Sequence, residues 1–382
     1  MTLRERHRCW AEVDLNALRN NLSWIRHFAG PRLKIMTVVK ADAYGHGLRQ
    51  IAALLMQSGT DIFGVANLAE ARAIRAVGKG WPILMLGACL PAEASVAVRD
   101  GVRLTISTRE EAERFAGLGR ESAGPIRVHV KIDTGMGRLG APPKAALDLI
   151  QFVAQEPNLI LDGLYTHLSS AETDGRYTAA QKRAFANVVA KSTANRIRVP
   201  LIHCANSSGF LYEKKSYGNL IRPGLLVYGV IPPGTRSPVI PIAEHLQPAL
   251  SFKCKVSHVK SVPKGTSLSY CRSFVAPRSM RIATLTAGYG DGYMRMGSNR
   301  AEVIIRESRC RVVGRITMDQ TLVDVSDLPD LSPGDEAVLI GRQGKATIKA
   351  NELADWTDSI PWEVLTNITY RVPRIYLGGK AA

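Results

Sequence analysis

The chain has 382 residues, 46% hydrophobic and 22% charged, a balance that excludes an intrinsically disordered protein. At roughly 150 residues per domain it holds two or three domains, or one large barrel plus a smaller unit. Fifty Lys and Arg against 33 Asp and Glu give a formal net charge of +17, which draws anions of any kind; the basic residues are scattered and no nucleic-acid motif accompanies them, so no nucleic-acid partner is expected.

The longest apolar runs, Trp81–Leu90 and Gly224–Pro233, fall short of the roughly 18 residues a membrane span needs. No apolar segment of signal-peptide type follows the Arg-rich start. The expectation is a soluble, cytoplasmic protein with no membrane partner. None of the six cysteines stands at C-x2-C or C-x4-C spacing, so neither a zinc site nor any other metal is expected.

In chain order, eight short β-rich runs are expected: Lys34–Lys40, Ile62–Ala66, Ile83–Gly87, Arg103–Ser107, Arg127–Ile132, Gly163–Thr166, Leu201–Cys204 and Asn219–Arg222. Between them lie stretches such as Leu48–Gln57, Leu68–Val77, Lys144–Ala154 and Ala179–Lys191, whose apolar residues recur at helical spacing. Strands alternating with amphipathic helices predict a parallel sheet, and eight units predict a (β/α)8 barrel over residues 11–243. An open doubly wound sheet is the alternative, weakened because no Gly-x-Gly-x-x-Gly follows the first strand.

After about Leu246 the pattern changes. Leu250–Val262, Met280–Ala287, Glu302–Ile305, Cys310–Val313, Thr321–Val325 and Glu336–Ile340 alternate apolar and polar residues between Gly, Pro, Asp and Ser turns. They predict a smaller, mostly antiparallel β domain over residues 244–382, with an N-terminal strand in residues 1–10 packed on it. The Pro-rich stretch 232–241 reads as the linker.

The strongest local signal is Val38-Val39-Lys40-Ala41-Asp42-Ala43-Tyr44-Gly45-His46-Gly47, an apolar strand ending in a lysine and a Gly-rich turn. Partial desolvation at a barrel mouth disfavours the ammonium form, which suits a Schiff-base lysine. A lysine snorkelling to solvent fits the same pattern, and position alone does not separate the two. Asn206-Ser207-Ser208-Gly209 and Arg222-Pro223-Gly224-Leu225 follow strands seven and eight, where such barrels bind phosphate. A strand-end lysine facing a phosphate cradle suggests pyridoxal 5'-phosphate, with Arg222 as partner of the pyridine nitrogen.

These motifs, with Lys131-Ile132-Asp133-Thr134-Gly135-Met136-Gly137-Arg138-Leu139-Gly140, His203-Cys204-Ala205-Asn206-Ser207, Ser269-Tyr270, Gly288-Tyr289-Gly290-Asp291, Met318-Asp319-Gln320 and Tyr370-Arg371-Val372-Pro373-Arg374, resemble the alanine racemases from about Trp10 to Arg374. The resemblance implies a pyridoxal-phosphate enzyme interconverting L- and D-alanine by a two-base mechanism, supplying D-alanine for peptidoglycan. It implies Lys40 as cofactor lysine and one base, and Tyr270 as the other. His167 would bond Arg222, and Arg222 would face the ring nitrogen. Tyr44, Asn206, Ser207, Gly224, Leu225 and the residue at Trp362 would hold the cofactor. Arg138, Met318 and Asp319 would bind substrate, Lys131 would be open to carbamylation, and Tyr289 and Asp291 would line the entrance. It also implies a homodimer with shared active sites.

Two departures stand out. Trp362 stands where the family usually has tyrosine, and Cys271 where glycine is common. Trp362 motivates the alternative of a racemase for serine or a wider set of amino acids.

Overall fold

The structure is a computed structural model that describes residues 6–122, 124–213 and 217–379. Strand β1, Cys9–Asp14, comes first, followed by β2 (Lys34–Val38), β3 (Ile62–Val65), β4 (Ile83–Met85), β5 (Leu104–Ile106), β6 (Ile126–Lys131), β7 (Leu159–Tyr165), β8 (Leu201–His203) and β9 (Leu220–Ile221). Strands β2 to β9 are parallel in two groups, β4-β3-β2-β9 and β5-β6-β7-β8. Parallel bridges Leu84↔Arg103 and Asn206↔Arg222 join the groups at both seams. The ring therefore closes, and the expected eight-stranded barrel replaces the doubly wound alternative.

Helices wrap the barrel where the apolar periodicity places them, at Leu48–Met56, Leu68–Val77, Ala146–Gln155 and Gly175–Ala194, with others at Leu15–Ala29, Pro91–Arg99 and Arg109–Glu121. Their starts are set by side chains: Asp14 accepts from Asn16 and Ala17 amides, Asn67 from Glu70, and Thr108 from Glu111, satisfying amides that a helix leaves unpaired. Leu18, Leu22 and Ile25 lie on the buried face of Leu15–Ala29, each contributing about 1.5–3 kcal/mol by leaving water.

The second unit is built on β10, Leu250–Val262, which pairs antiparallel with β1, with Met280–Leu285 and with Glu336–Gln343. Residues 11–14, expected within the barrel unit, instead belong to β1 in this sheet, and the barrel's first helix begins at Leu15. Residues 1–5 of the expected N-terminal strand lie outside the described residues. Glu302–Ile305 turns through Arg306 and Glu307, at φ 48° and 64°, into Ser308–Arg311. That two-residue turn starts the return strand two residues before the expected Cys310.

The sheet has one parallel neighbour pair, β1 with Arg374–Leu377. Short helices Ala350–Trp356 and Pro361–Thr366 precede that last strand. One apolar core runs from the barrel into the β domain. The Pro-rich stretch is not a free tether: Val239 and Ile240 amides donate to Leu211 O, and the Arg236 amide to Glu172 O.

Candidate active site

Lys40 follows β2 at the C-terminal end of the barrel, and the chain then does something rare. Ala41, Asp42 and Ala43 all have left-handed backbone angles, and Tyr44 has φ 53°. Left-handed backbone costs a non-glycine residue about 1–2 kcal/mol, so four in a row must be held from outside. The Gly47 amide donates to Asp42 O and the Gly45 amide to Ala41 O, while Asp42 Oδ1 accepts from Leu48 N at 2.7 Å. Glu70 bridges Ala41 N (2.8 Å) and Ala66 N (2.7 Å) with its two oxygens. Burial pulls the Lys40 ammonium below its ordinary pKa, the Arg138 charge pulls it further, and Glu70 opposes both.

Arg222 follows β9, the strand beside β2, and is buried. Its Nη1 lies 2.9 Å from His203 Nδ1. Its Nη2 donates to Thr166 O (2.9 Å) and Cys204 O (3.1 Å) and lies 3.3 Å from His167 Nδ1. Nε bonds no described residue. Arginine only donates, so His203 Nδ1 accepts. His203, held well below its usual pKa by burial and the Arg222 charge, is neutral, with its proton on Nε2. That nitrogen meets His129 Nδ1 at 2.9 Å. The far nitrogen of His129 lies 3.5 Å from Asp162 Oδ2. Asp162 in turn sits 3.0 Å from Arg103 and 3.1 Å from Arg127. One chain of contacts thus fixes both tautomers from the barrel mouth to a carboxylate inside the barrel wall. Gly163 makes room, since a side chain there would strike the His129 ring. Tyr165 stacks on His203 at 4.8 Å and 2°.

The glycine-dense turn after β6 is pinned rather than loose. One Asp133 oxygen accepts from Gly135, Met136 and Gly137 amides at 2.9–3.0 Å. Thr134 meets the Thr166 hydroxyl at 2.7 Å, and Tyr177 OH donates to Gly135 O at 2.8 Å. Arg138 projects from this turn, exposed. Lys131 is buried and donates to Leu139 O. Burial lowers its pKa to about 8, with Arg138 and Arg222 acting in the same sense against Asp133. His167 feels Arg222, Arg138, Lys131 and Lys40 on top of burial and is held well below its usual range.

Beside Lys40, the Ser207 hydroxyl accepts from the Gly224 amide at 2.9 Å, and Leu225 opens a short 3-10 turn. A side chain at Gly224 would collide with Tyr44 OH. Asn206 caps the helix Ser207–Tyr212 through Gly209 N, with Nδ2 3.4 Å from His167 Nε2. Trp362 lies in the short helix Pro361–Thr366, which packs against the turn after Lys40.

The structure brings Lys40, Tyr44, Lys131, Arg138, His167, Asn206, Ser207, Arg222, Gly224 and Leu225 together at one barrel mouth. Tyr270, Met318 and Asp319 are elsewhere. Tyr270 is 69% exposed and Met318 52%, in the β domain, and no hydrogen bond ties Tyr270 to these barrel residues. Asp319 is paired with Arg371 at 2.8 Å. Cys271, exposed, adopts φ 57°, where glycine is less strained. Tyr289 is exposed. Asp291, expected at the entrance, is instead buried, accepting from Gly288 N.

Sequence reasoning gave no role to His203, His129, Asp162 or Glu70. A histidine flanked by valines in Arg127-Val128-His129-Val130 was a signal: a polar ring inside a barrel needs a partner. Asp162 and Glu70 carry no such mark.

Two family models match: alanine racemase, N-terminal domain, over residues 13–232, and alanine racemase, C-terminal domain, over residues 249–376. The chain belongs to the alanine racemase family. It is 40% identical to the alanine racemase of Symbiobacterium thermophilum over 98% of both chains, and 38% identical to that of Halothermothrix orenii over 96% of both. Among solved structures, the alanine racemase of Streptomyces coelicolor A3(2) superposes with TM-score 0.92 at 31% identity, covering 99% of this chain and 100% of that one. The Clostridium difficile 630 enzyme gives 0.91 at 31%, covering 97% and 96%. The activity is that of an isomerase racemising alanine, and the broader-specificity alternative drawn from Trp362 is not favoured. No helix among the described residues is long and apolar enough to cross a membrane.

Proposed function

We propose that this chain racemises alanine with pyridoxal 5'-phosphate held at the barrel mouth and with two bases, Lys40 and Tyr270 of the partner subunit, in a homodimer. The observation that carries the reading is the placement of Lys40, whose ammonium form is disfavoured, after β2 and of the buried guanidinium of Arg222 after β9, the adjacent strand of the barrel.

The residues fit the cofactor. Gly224 leaves the space a side chain would fill beside Tyr44, and Ser207 with the 3-10 turn at Leu225 offers hydroxyl and amide groups for a phosphate. Arg222 uses Nη1 and Nη2 on the protein, and its Nε–H remains for a ring nitrogen. Bound pyridoxal phosphate supplies a conjugated ring into which charge left at the substrate α-carbon spreads.

The protein does the rest. Arg222 does not give up its proton, so it would donate a hydrogen bond to a ring nitrogen without protonating it, which would restrain side reactions. The neutral His203 and His129 keep the guanidinium aimed. Lys40 takes or returns the α-proton on one face. Tyr270, exposed on its own chain, would serve the partner subunit's barrel from the opposite face. Arg138 attracts the substrate carboxylate, with Met318 and Asp319 of the partner subunit closing the site. The depressed pKa of Lys131 leaves more neutral amine to take up carbon dioxide as a carbamate, an anion suited to fixing Arg138.

The test is complementation. Lys40→Ala and Tyr270→Ala are each expected to be inactive, and mixing them places both lesions in one site of a heterodimer and none in the other. Random pairing should return roughly a quarter of wild-type activity. No return of activity after proven subunit exchange would place both bases on one chain.

A further inference from the structure

The last strand of the β domain reaches back to the turn that carries Lys40. Arg374 donates Nε to Gly45 O at 3.0 Å, Nη1 to Thr369 O and Val372 O at 2.6 Å, and Nη2 to Ile368 O at 2.7 Å. Its side chain is spent on four backbone carbonyls and on no carboxylate. Two residues on, Tyr376 OH donates to His46 O at 3.1 Å. The fit is close enough that a side chain at Gly45 would strike Leu365 O, and one at Gly47 would strike Tyr376 OH. Opposite this seam, Glu70 holds Ala41 N. The strained left-handed turn therefore has a carboxylate on one side and the C-terminal segment of the same chain on the other.

We propose that Arg374, seconded by Tyr376, is a positioning residue for Lys40: it clamps Gly45 and so holds the left-handed turn 41–44 in the one shape that keeps the lysine in the barrel mouth. The β domain thus serves its own barrel through this seam. Unclamped, the four left-handed residues relax toward right-handed or extended backbone, and Lys40 moves toward solvent. The charges facing Lys40 are Arg138 from the turn after β6, Glu70 from the helix Leu68–Val77 and His167 after β7; Arg374 is not among them. Its removal acts through the backbone and not by direct charge.

The link to cofactor binding rests on the function proposed above, so the test has one arm without cofactor. In the apoprotein, the pH dependence of reductive methylation at Lys40, read by peptide mass spectrometry, reports its ionisation. Arg374→Gln should move the midpoint upward by about one unit, toward the ordinary lysine value of about 10.4. Tyr376→Phe, which deletes one hydroxyl and folds more safely, should move it the same way by less. In the second arm, pyridoxal phosphate titrated into apoprotein should bind Arg374→Gln at least tenfold more weakly. A midpoint shift without loss of cofactor affinity supports the clamp and removes Lys40 from the cofactor site. Unchanged Lys40 midpoints in folded Arg374→Gln and Tyr376→Phe overturn the proposal, whatever happens to thermal stability.

Discussion

Replacing Asp162 by leucine should release the Arg222 relay at its far end. The carboxylate is buried, and the Arg103 side chain beside it is only 16% exposed. Removing one member of a buried pair costs about 3–5 kcal/mol, because the other is left as an uncompensated charge. The contact to Arg127, whose side chain is 53% exposed, adds at most roughly 1 kcal/mol. At roughly 2 °C per kcal/mol for a unit of barrel size, the melting temperature of Asp162→Leu at pH 7 should fall by about 6–12 °C. Asp162→Asn, which keeps an acceptor oxygen for His129, should lose about 1.5–3 kcal/mol.

The pH dependence identifies the cause. Burial alone would raise the Asp162 pKa, but the His129 contact and the Arg103 and Arg127 charges outweigh it and hold it below the usual carboxylate range. A depressed carboxylate contributes stability that is full above its unfolded pKa of about 3.9 and is lost as pH falls through the folded value. Melts followed by circular dichroism between pH 3 and pH 8 should show wild type and Asp162→Leu far apart at neutral pH and converging in acid. A Leu variant that melts with wild type at pH 7, or a gap as wide in acid as at pH 7, would refute the pairing.

Lys40→Met should yield no borohydride-trapped pyridoxal phosphate. In the apoprotein it should raise the melting temperature near pH 7, because burial of the ammonium costs stability below the folded pKa and nothing above the unfolded value of about 10.4; the gain should vanish above that pH. Tyr270→Phe, at an exposed position, should leave the melt unchanged and lower kcat/KM for racemisation equally in both directions, as an equilibrium constant of one requires, while solvent deuterium still enters the α-position from one enantiomer. Exchange retained or lost alike from both enantiomers would count against Tyr270 as a base. Gly224→Ala should push on Tyr44 OH and weaken pyridoxal phosphate binding about tenfold, ~1.4 kcal/mol, read by absorbance titration.

The barrel was legible because its elements are local: each apolar run and each helical period is written in adjacent residues, and β10 was bounded at Leu250–Val262 from alternation alone. What escaped is non-local. An N-terminal strand was placed on the β domain, but nothing near Cys9 shows that its partner will be β10, some 240 residues later. The left-handed turn was invisible for another reason: Ala41 and Ala43 have no intrinsic preference for that region, and only Glu70, Arg374 and Tyr376, brought up by tertiary packing, impose it. Lys40 and Arg222 stood out as charges at strand ends. Their supports, His203, His129 and Asp162, lie inside strands and looked like core.

The barrel mouth carries an imbalance that its ligands correct. Lys40, Lys131, Arg138 and Arg222 all bear on His167 and drive its pKa down. The nearby carboxylates are engaged elsewhere, Asp133 by three backbone amides and Glu70 by two. Asp162 reaches Arg222 only through two neutral rings. The guanidinium groups of Arg138 and Arg222, with no free carboxylate beside them, attract a phosphate and a carboxylate together. Each bound anion would in turn relieve the repulsion that depresses the lysines. A cofactor phosphate held at Ser207 and Gly224, as proposed, would stabilise the same positive field that would orient the substrate. Arg222 is held by three protein acceptors, so its charge stays in place as anions come and go.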